Sequence, residues 1–377
     1  MVIRMNAQSL LKEIENMGIK VITGVPDSTL KQFCDGLQSY QGQLKHYVPV
    51  NEGAAIGIAV GTYLSSGHPA CVYMQNSGLG NIVNPITSLA NQEVYGIPML
   101  LIVGWRGEPG VKDEPQHVYQ GKITKELLDV LSIPYAVLDA DTTMEEMETI
   151  LKQAEDAMAE RKQFALVVKK GTFEKADKFV WENGYPMNRE WALGELLKMI
   201  PQEACIVSTT GKISRELYEQ SDKIYGNHDR IFMTVGGMGH ASMIAFGIAQ
   251  DQQDRKVVCI DGDGAALMHM GGMAFLAANA PENYIHIIIN NQAHESVGAM
   301  PTGAQAVSFV KVAQAAGYKK ALSIVKQEDM TQIRDLLNEK GPVLCEIMVG
   351  LDSRADLGRP KETAAENREA FMSYLNR

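Results

Sequence analysis

Short, almost uninterrupted apolar runs separated by helical stretches constrain this chain more than any other feature. Five of them, at 19–23, 46–50, 70–74, 99–103 and 164–168, occupy the first half, and 204–207, 230–233, 256–260, 284–289 and 343–349 occupy the second. A strand with one face in water alternates apolar and polar residues. A strand that is apolar throughout needs cover on both faces, as in parallel sheets flanked by helices. The rhythm therefore predicts an α/β architecture with two doubly wound parallel-sheet domains. At 377 residues the chain is too long for one ordinary core and fits two. The polar stretch between the halves, with its glycine and proline, predicts a first domain over 1–178, a linker over 179–187 and a second domain over 188–377.

Composition narrows the function. A formal net charge of −10 argues against nucleic acid or an anionic membrane as the main partner, so a small-molecule substrate is expected. No apolar stretch is long enough to span a bilayer, and the amino terminus is a charged amphipathic helix, not a secretion signal. A cytoplasmic location follows as an expectation. The five cysteines include no CxxC pair, and Cys71, Cys205, Cys259 and Cys345 lie in apolar runs, which points to buried thiols and not to a zinc site.

In doubly wound folds, ligands sit beyond the carboxyl ends of the strands. After the run 256–260 comes Asp261-Gly262-Asp263-Gly264, then a helical stretch, then the run 284–289 ending in Asn290-Asn291. Right-handed crossover brings the ends of two such strands to one edge of the sheet. Asp263 and Asn291 would then offer a carboxylate and an amide oxygen together, while Gly262 and Gly264 let the backbone approach an anion. Two hard oxygen ligands beside phosphate suit Mg²⁺. Either piece alone is more simply a turn and a strand terminator; at βαβ spacing the pair favours a site. The nicotinamide alternative is weak, because Gly237-x-Gly239 continues into Ser242 and not into a third glycine.

Gly-Asp-Gly followed one βαβ unit later by a double asparagine resembles the signature of thiamin-diphosphate enzymes. The resemblance implies Asp263, Asn291 and the carbonyl of Ala293 as Mg²⁺ ligands. It also implies that Gly236 and Met238, in the glycine-rich segment after 230–233, lie under the cofactor, Met238 as the wedge that bends it. Glu52, in Asn51-Glu52-Gly53 after the run 46–50, matches the glutamate that activates the cofactor's pyrimidine. Because Glu52 and Asp263 lie in different halves, the family pattern implies a homodimer or larger homo-oligomer with active sites between subunits. Typical members carry a central third domain, for which this chain has no room.

Three further stretches, at 24–28, at 104–110 running on to 113–117, and at 353–360, resemble phosphonopyruvate decarboxylases; the first two also resemble sulfopyruvate decarboxylases. The implied reaction converts 3-phosphonopyruvate to phosphonoacetaldehyde and CO₂, within phosphonate biosynthesis of the 2-aminoethylphosphonate type. The alternatives are another 2-oxo acid decarboxylase, sulfopyruvate included, or a non-catalytic subunit that keeps the fold. A phosphonate calls for charged or forked donors. Arg106 is the first choice, with Lys112, Arg354 and Arg359 as further candidates, each equally readable as a solvated surface cation. Proton-transfer candidates are Asp27 or Ser28, which the pattern does not separate, together with His117 and His294, for which a near-neutral pKa is expected.

Overall fold

The computed structural model describes residues 5–177, 179–351 and 353–377. Lys178, the expected end of the first domain, lies outside the described residues. The chain separates into two compact units, Met1–Val180 with Val297–Met300, and Trp181–Ser296 with Pro301–Arg377.

The sheet of the first unit contains β1 (Val21–Gly24), β2 (Lys45–Tyr47), β3 (Ala70–Gln75), β4 (Met99–Gly104), β5 (Tyr135–Leu138) and β6 (Gln163–Val168). Every pairing in it is parallel, in the order β2-β1-β3-β4-β6-β5. Alternate residues of its central strands enter two separate cores. Leu100, Ile102, Leu166 and Val168 pack on one side, and Met99, Leu101, Val103, Ala165 and Val167 on the other. Each face therefore needs its own helical cover, which is why the runs read as continuously apolar.

The second unit repeats the plan. Its sheet contains β7 (Cys205–Ser208), β8 (Ile231–Met233), β9 (Val257–Gly262), β10 (Tyr284–Asn290), β11 (Lys320–Ile324) and β12 (Val343–Met348). All neighbours are parallel, in the order β11-β12-β10-β9-β7-β8. The apolar runs anticipate ten of these twelve strands. The two they miss, β5 and β11, are edge strands whose residues are largely only partly buried. A strand with one neighbour needs no continuous apolar run, so its sequence signal is weak.

Within 179–187, the segment read as linker, the second unit already has anchors at Asn183 and Met187. Met187 is a core residue, its carbonyl accepts from the N–H of Gly350 at 2.8 Å, and Asn183 Nδ2 donates to the carbonyls of Asn291 and Val349, both at 2.8 Å. All five cysteines are free and buried. Among the described residues no helix is long and apolar enough to cross a membrane.

Candidate active site

In the second unit the strand order reverses beside β7, which has β8 on one side and β9 on the other. At such a switch point the loops leaving the two strands diverge and open a crevice. Gly262 ends β9 there. A Cβ on it would lie 3.3 Å from Ile213 Cδ1 and 3.9 Å from Thr209 Cγ2, both from the segment after β7. Asp263 begins the short helix Asp263–Met268 and is 3% exposed. Its carboxylate accepts from the Thr302 hydroxyl and from the backbone N–H groups of Asn291 and Gly264.

That contact with Asn291 follows from register. β10 lies parallel to β9 with Ile289 opposite Gly262, so the double asparagine leaves the sheet beside Asp263. The Asn291 side chain donates through Nδ2 to Glu295 Oε2 at 2.9 Å and accepts through Oδ1 from the N–H of Ala293 at 3.1 Å. Around Gly264 two further candidates, Met238 and His294, converge with Thr302. A Cβ there would lie 3.2 Å from His294 Cε1 and from Thr302 Cγ2, and 3.3 Å from Met238 Cε, which reaches in from the glycine-rich turn after β8. Any larger residue at 264 would displace one of the three.

In the first unit Glu52 opens the helix Glu52–Ser66, behind an Asn51 cap whose side chain accepts from the N–H of Ala54. Glu52 is 5% exposed and accepts from Asn81 Nδ2 at 2.7 Å. Its carboxyl group rests against Gly78, where a Cβ would come within 2.7 Å of Oε1. Asp27 follows β1 at the other switch point, next to the end of β3. Gln75 Nε2 donates to its Oδ1 at 2.6 Å, and the N–H groups of Thr29 and Leu30 donate to its Oδ2. The exposed Ser28 instead accepts from Arg106 Nη1 at 2.7 Å.

Comparison with known proteins shows the family. Residues 5–131 match the N-terminal TPP binding domain of thiamine pyrophosphate enzymes, and residues 217–347 match the C-terminal TPP binding domain. The phosphonopyruvate decarboxylase of Streptomyces viridochromogenes is 34% identical, over 98% of this chain and 94% of that protein. The phosphonopyruvate decarboxylase of Streptomyces hygroscopicus is 33% identical over the same shares. The chain belongs to the phosphonopyruvate decarboxylase family of thiamine pyrophosphate enzymes. A sulfopyruvate decarboxylase of Methanosarcina acetivorans is 24% identical over 86% of both chains.

The residues present fit the cofactor and metal of this family. Burial pushes the pKa of Asp263 up to about 7, against the hydrogen bonds it accepts. Among the described residues no lysine, arginine or histidine pairs with it. A buried carboxylate held only by neutral donors lacks a counter-charge, which a divalent cation would supply. Asn291 Oδ1 keeps a second lone pair for the same ion.

Two expectations need correction. Neither histidine has a near-neutral pKa. Burial lowers His294 to about 4, and burial together with Arg106 lowers His117 to about 4, so both rings are neutral at physiological pH. Asp27 moves the other way, its pKa raised by burial. The substrate cations are also more committed than the sequence suggested. Arg106 forks onto Asp113, with Nε to Oδ2 at 2.8 Å and Nη2 to Oδ1. Arg354 is paired with Glu190, Glu219 and Asp356. Arg359 is exposed and makes an interaction of its own. Lys112 is exposed, with no ion pair among the described residues.

Sequence reasoning passed over Gly78, Asn81, Gln75, Thr302 and Glu295. Thr302 and Glu295 touch the proposed metal ligands; the other three touch Glu52 or Asp27. Gln75 is the last residue of β3 and the others lie on neighbouring loops or helices, and no spacing rule links any of them to the motif. For Gly78 and Asn81 a signal existed: Asn76–Gly78 follows the end of β3, which is where ligand-facing residues belong.

Proposed function

We propose that this chain decarboxylates 3-phosphonopyruvate to phosphonoacetaldehyde and CO₂, using thiamin diphosphate and Mg²⁺, as a step of phosphonate biosynthesis. The observation that carries the reading is the match of about one residue in three, over nearly the full length of both chains, to phosphonopyruvate decarboxylases. When bound, thiamin diphosphate supplies the carbon nucleophile and the electron sink that decarboxylation requires.

The chain's own residues supply orientation and electrostatics. Asp263, Asn291 and the Ala293 carbonyl would hold Mg²⁺, and through it the diphosphate beside Gly262 and Gly264. Gly236 and Met238 would support the cofactor's centre. The buried Glu52 carboxyl would hold the pyrimidine and share a proton with it. The product needs one proton in place of CO₂. Asp27, whose proton affinity is raised by burial, is better suited to deliver it than either neutral histidine. Lys112 and Arg106 are the cations proposed to meet the phosphonate, Arg106 only if Asp113 shares it.

This reading makes 1–178 the pyrimidine-binding domain and 188–377 the diphosphate-binding domain, joined by 179–187. It makes the enzyme a cytoplasmic homodimer or larger homo-oligomer with active sites between subunits. The test is a parallel assay of purified protein with thiamin diphosphate and Mg²⁺, offered phosphonopyruvate, sulfopyruvate and pyruvate. A kcat/KM at least tenfold higher for phosphonopyruvate is expected. Preference for pyruvate, or no turnover of any of the three, would defeat the assignment.

A further inference from the structure

Asn291 presents a problem of orientation. The two ends of its amide are nearly the same shape, but only the oxygen can bind a cation. At one end the backbone N–H of Ala293 donates to Oδ1 at 3.1 Å, which favours oxygen there. The other end is held by Glu295, four residues on. A carboxylate can only accept, so the Asn291 Nδ2 contact with Glu295 Oε2 at 2.9 Å fixes the NH₂ end. The flipped amide would set its oxygen against a carboxylate oxygen.

Glu295 is itself held. Arg189, 3% exposed, donates through Nη1 to the same Oε2. Its other edge is locked to Glu216 by Nε at 2.8 Å and Nη2 at 2.7 Å. Lys212 Nζ donates to Glu295 Oε1 at 2.9 Å and to Ser353 Oγ at 2.6 Å. Both oxygens of Glu295, whose side chain is 11% exposed, are thus fixed by charged donors on separate helices.

We propose that Glu295 is the positioning residue of the metal centre: clamped between Arg189 and Lys212, it turns the Asn291 amide so that its oxygen is the end available to Mg²⁺. The proposal rests on the reading of Asp263 and Asn291 as metal ligands, and its test separates the two.

The measurement is calorimetric titration of Mg²⁺ into the protein with thiamin diphosphate present, which needs no turnover. Glu295→Ala should weaken Mg²⁺ affinity about 10- to 100-fold, the usual cost of losing a group that orients a ligand. Glu295→Gln keeps an acceptor for the Asn291 NH₂ and should recover most of that loss. Equal losses in both variants would mean that Glu295 acts by its charge alone and would overturn the proposal. Asp263→Ala and Asn291→Ala serve as controls. If they lose affinity and Glu295→Ala does not, only the positioning role falls. If they bind as the unaltered protein does, the metal-site reading falls and takes this proposal with it. Should Glu295→Ala fail to fold, Lys212→Met loosens the clamp at its partly exposed end. It should cost about threefold in affinity, and no change would count against the proposal.

Discussion

The two units present their candidate residues in different ways. In the second, Asp263 and Asn291 leave adjacent parallel strands whose register is fixed by a ladder of backbone hydrogen bonds, with Ile289 opposite Gly262. In the first, the candidate cations Arg106 and Lys112 follow the end of β4 in a loop, and the local partner Asp113 takes the guanidinium of Arg106. A residue positioned by a sheet has its neighbours decided by topology. A residue in a loop finds its neighbours through contacts that no periodicity encodes. Glu52 belongs with the sheet-anchored group, since it opens the helix that follows β2 after a connection of only four residues, 48–51.

If that contrast is right, the largest effect of any substitution in the first unit falls on Glu52. Glu52→Ala should lower kcat by about 10²- to 10⁴-fold, the range for removing a group that handles a proton in catalysis. Thiamin diphosphate affinity, read by calorimetry, should change only a few-fold, because the proposed metal ligands lie in the other unit. Retained turnover would show that position after a strand end is no guide to role in this chain.

The same contrast explains what was legible in the sequence. Continuous apolar runs exposed all eight central strands, which are buried on both faces, together with the edge strands β2 and β8. They missed β5 and β11, where an edge position relaxes the demand. Asp263, Asn291 and Glu52 could be singled out because each follows a strand, Asp263 and Asn291 at the next residue and Glu52 at the start of the next helix. Glu295 and Thr302 were not singled out, though both touch the metal-site pair. Their contacts depend on where a loop after β10 returns. The pKa values of His117 and His294 were misjudged for a related reason: burial sets them, and a lone histidine in a sequence carries no record of its burial.

Asp113 gives a sharper test of the loop. Burial raises the energy of its carboxylate, but the Arg106 fork and the N–H groups of Glu114 and Gly107 outweigh that and hold its pKa well below the ordinary range. A carboxylate depressed in the folded state adds stability above its unfolded pKa, near ~3.9. The contribution is lost as pH falls from there toward the folded value. Asp113→Asn should therefore lower stability by on the order of 1–2 kcal/mol near pH 7, with the gap from the unaltered protein closing below about pH 4. Thermal melts from pH 7 down to pH 3 read it directly. A gap that does not change with pH would mean that the Arg106–Asp113 pair does not hold the loop.

Arg354 should give the smallest effect and the most direct check on the C-terminal cations. Its side chain is 35% exposed and faces three carboxylates, with Nε of Arg354 at 2.9 Å from Glu190 and Nη1 at 3.2 Å from Asp356. Exposed pairs of this kind contribute little, because solvent screens them, so Arg354→Ala should shift the Tm by no more than a few degrees. For the guanidinium to hold a phosphonate, it would have to leave Glu190 and Glu219 unpaired and bind a dianion beside them. That repulsion works against the transfer, and KM for phosphonopyruvate should stay within about twofold. A tenfold rise in KM at unchanged kcat, worth about 1.4 kcal/mol of substrate binding, would show the reverse: that Glu190 and Glu219 only park the arginine until substrate arrives.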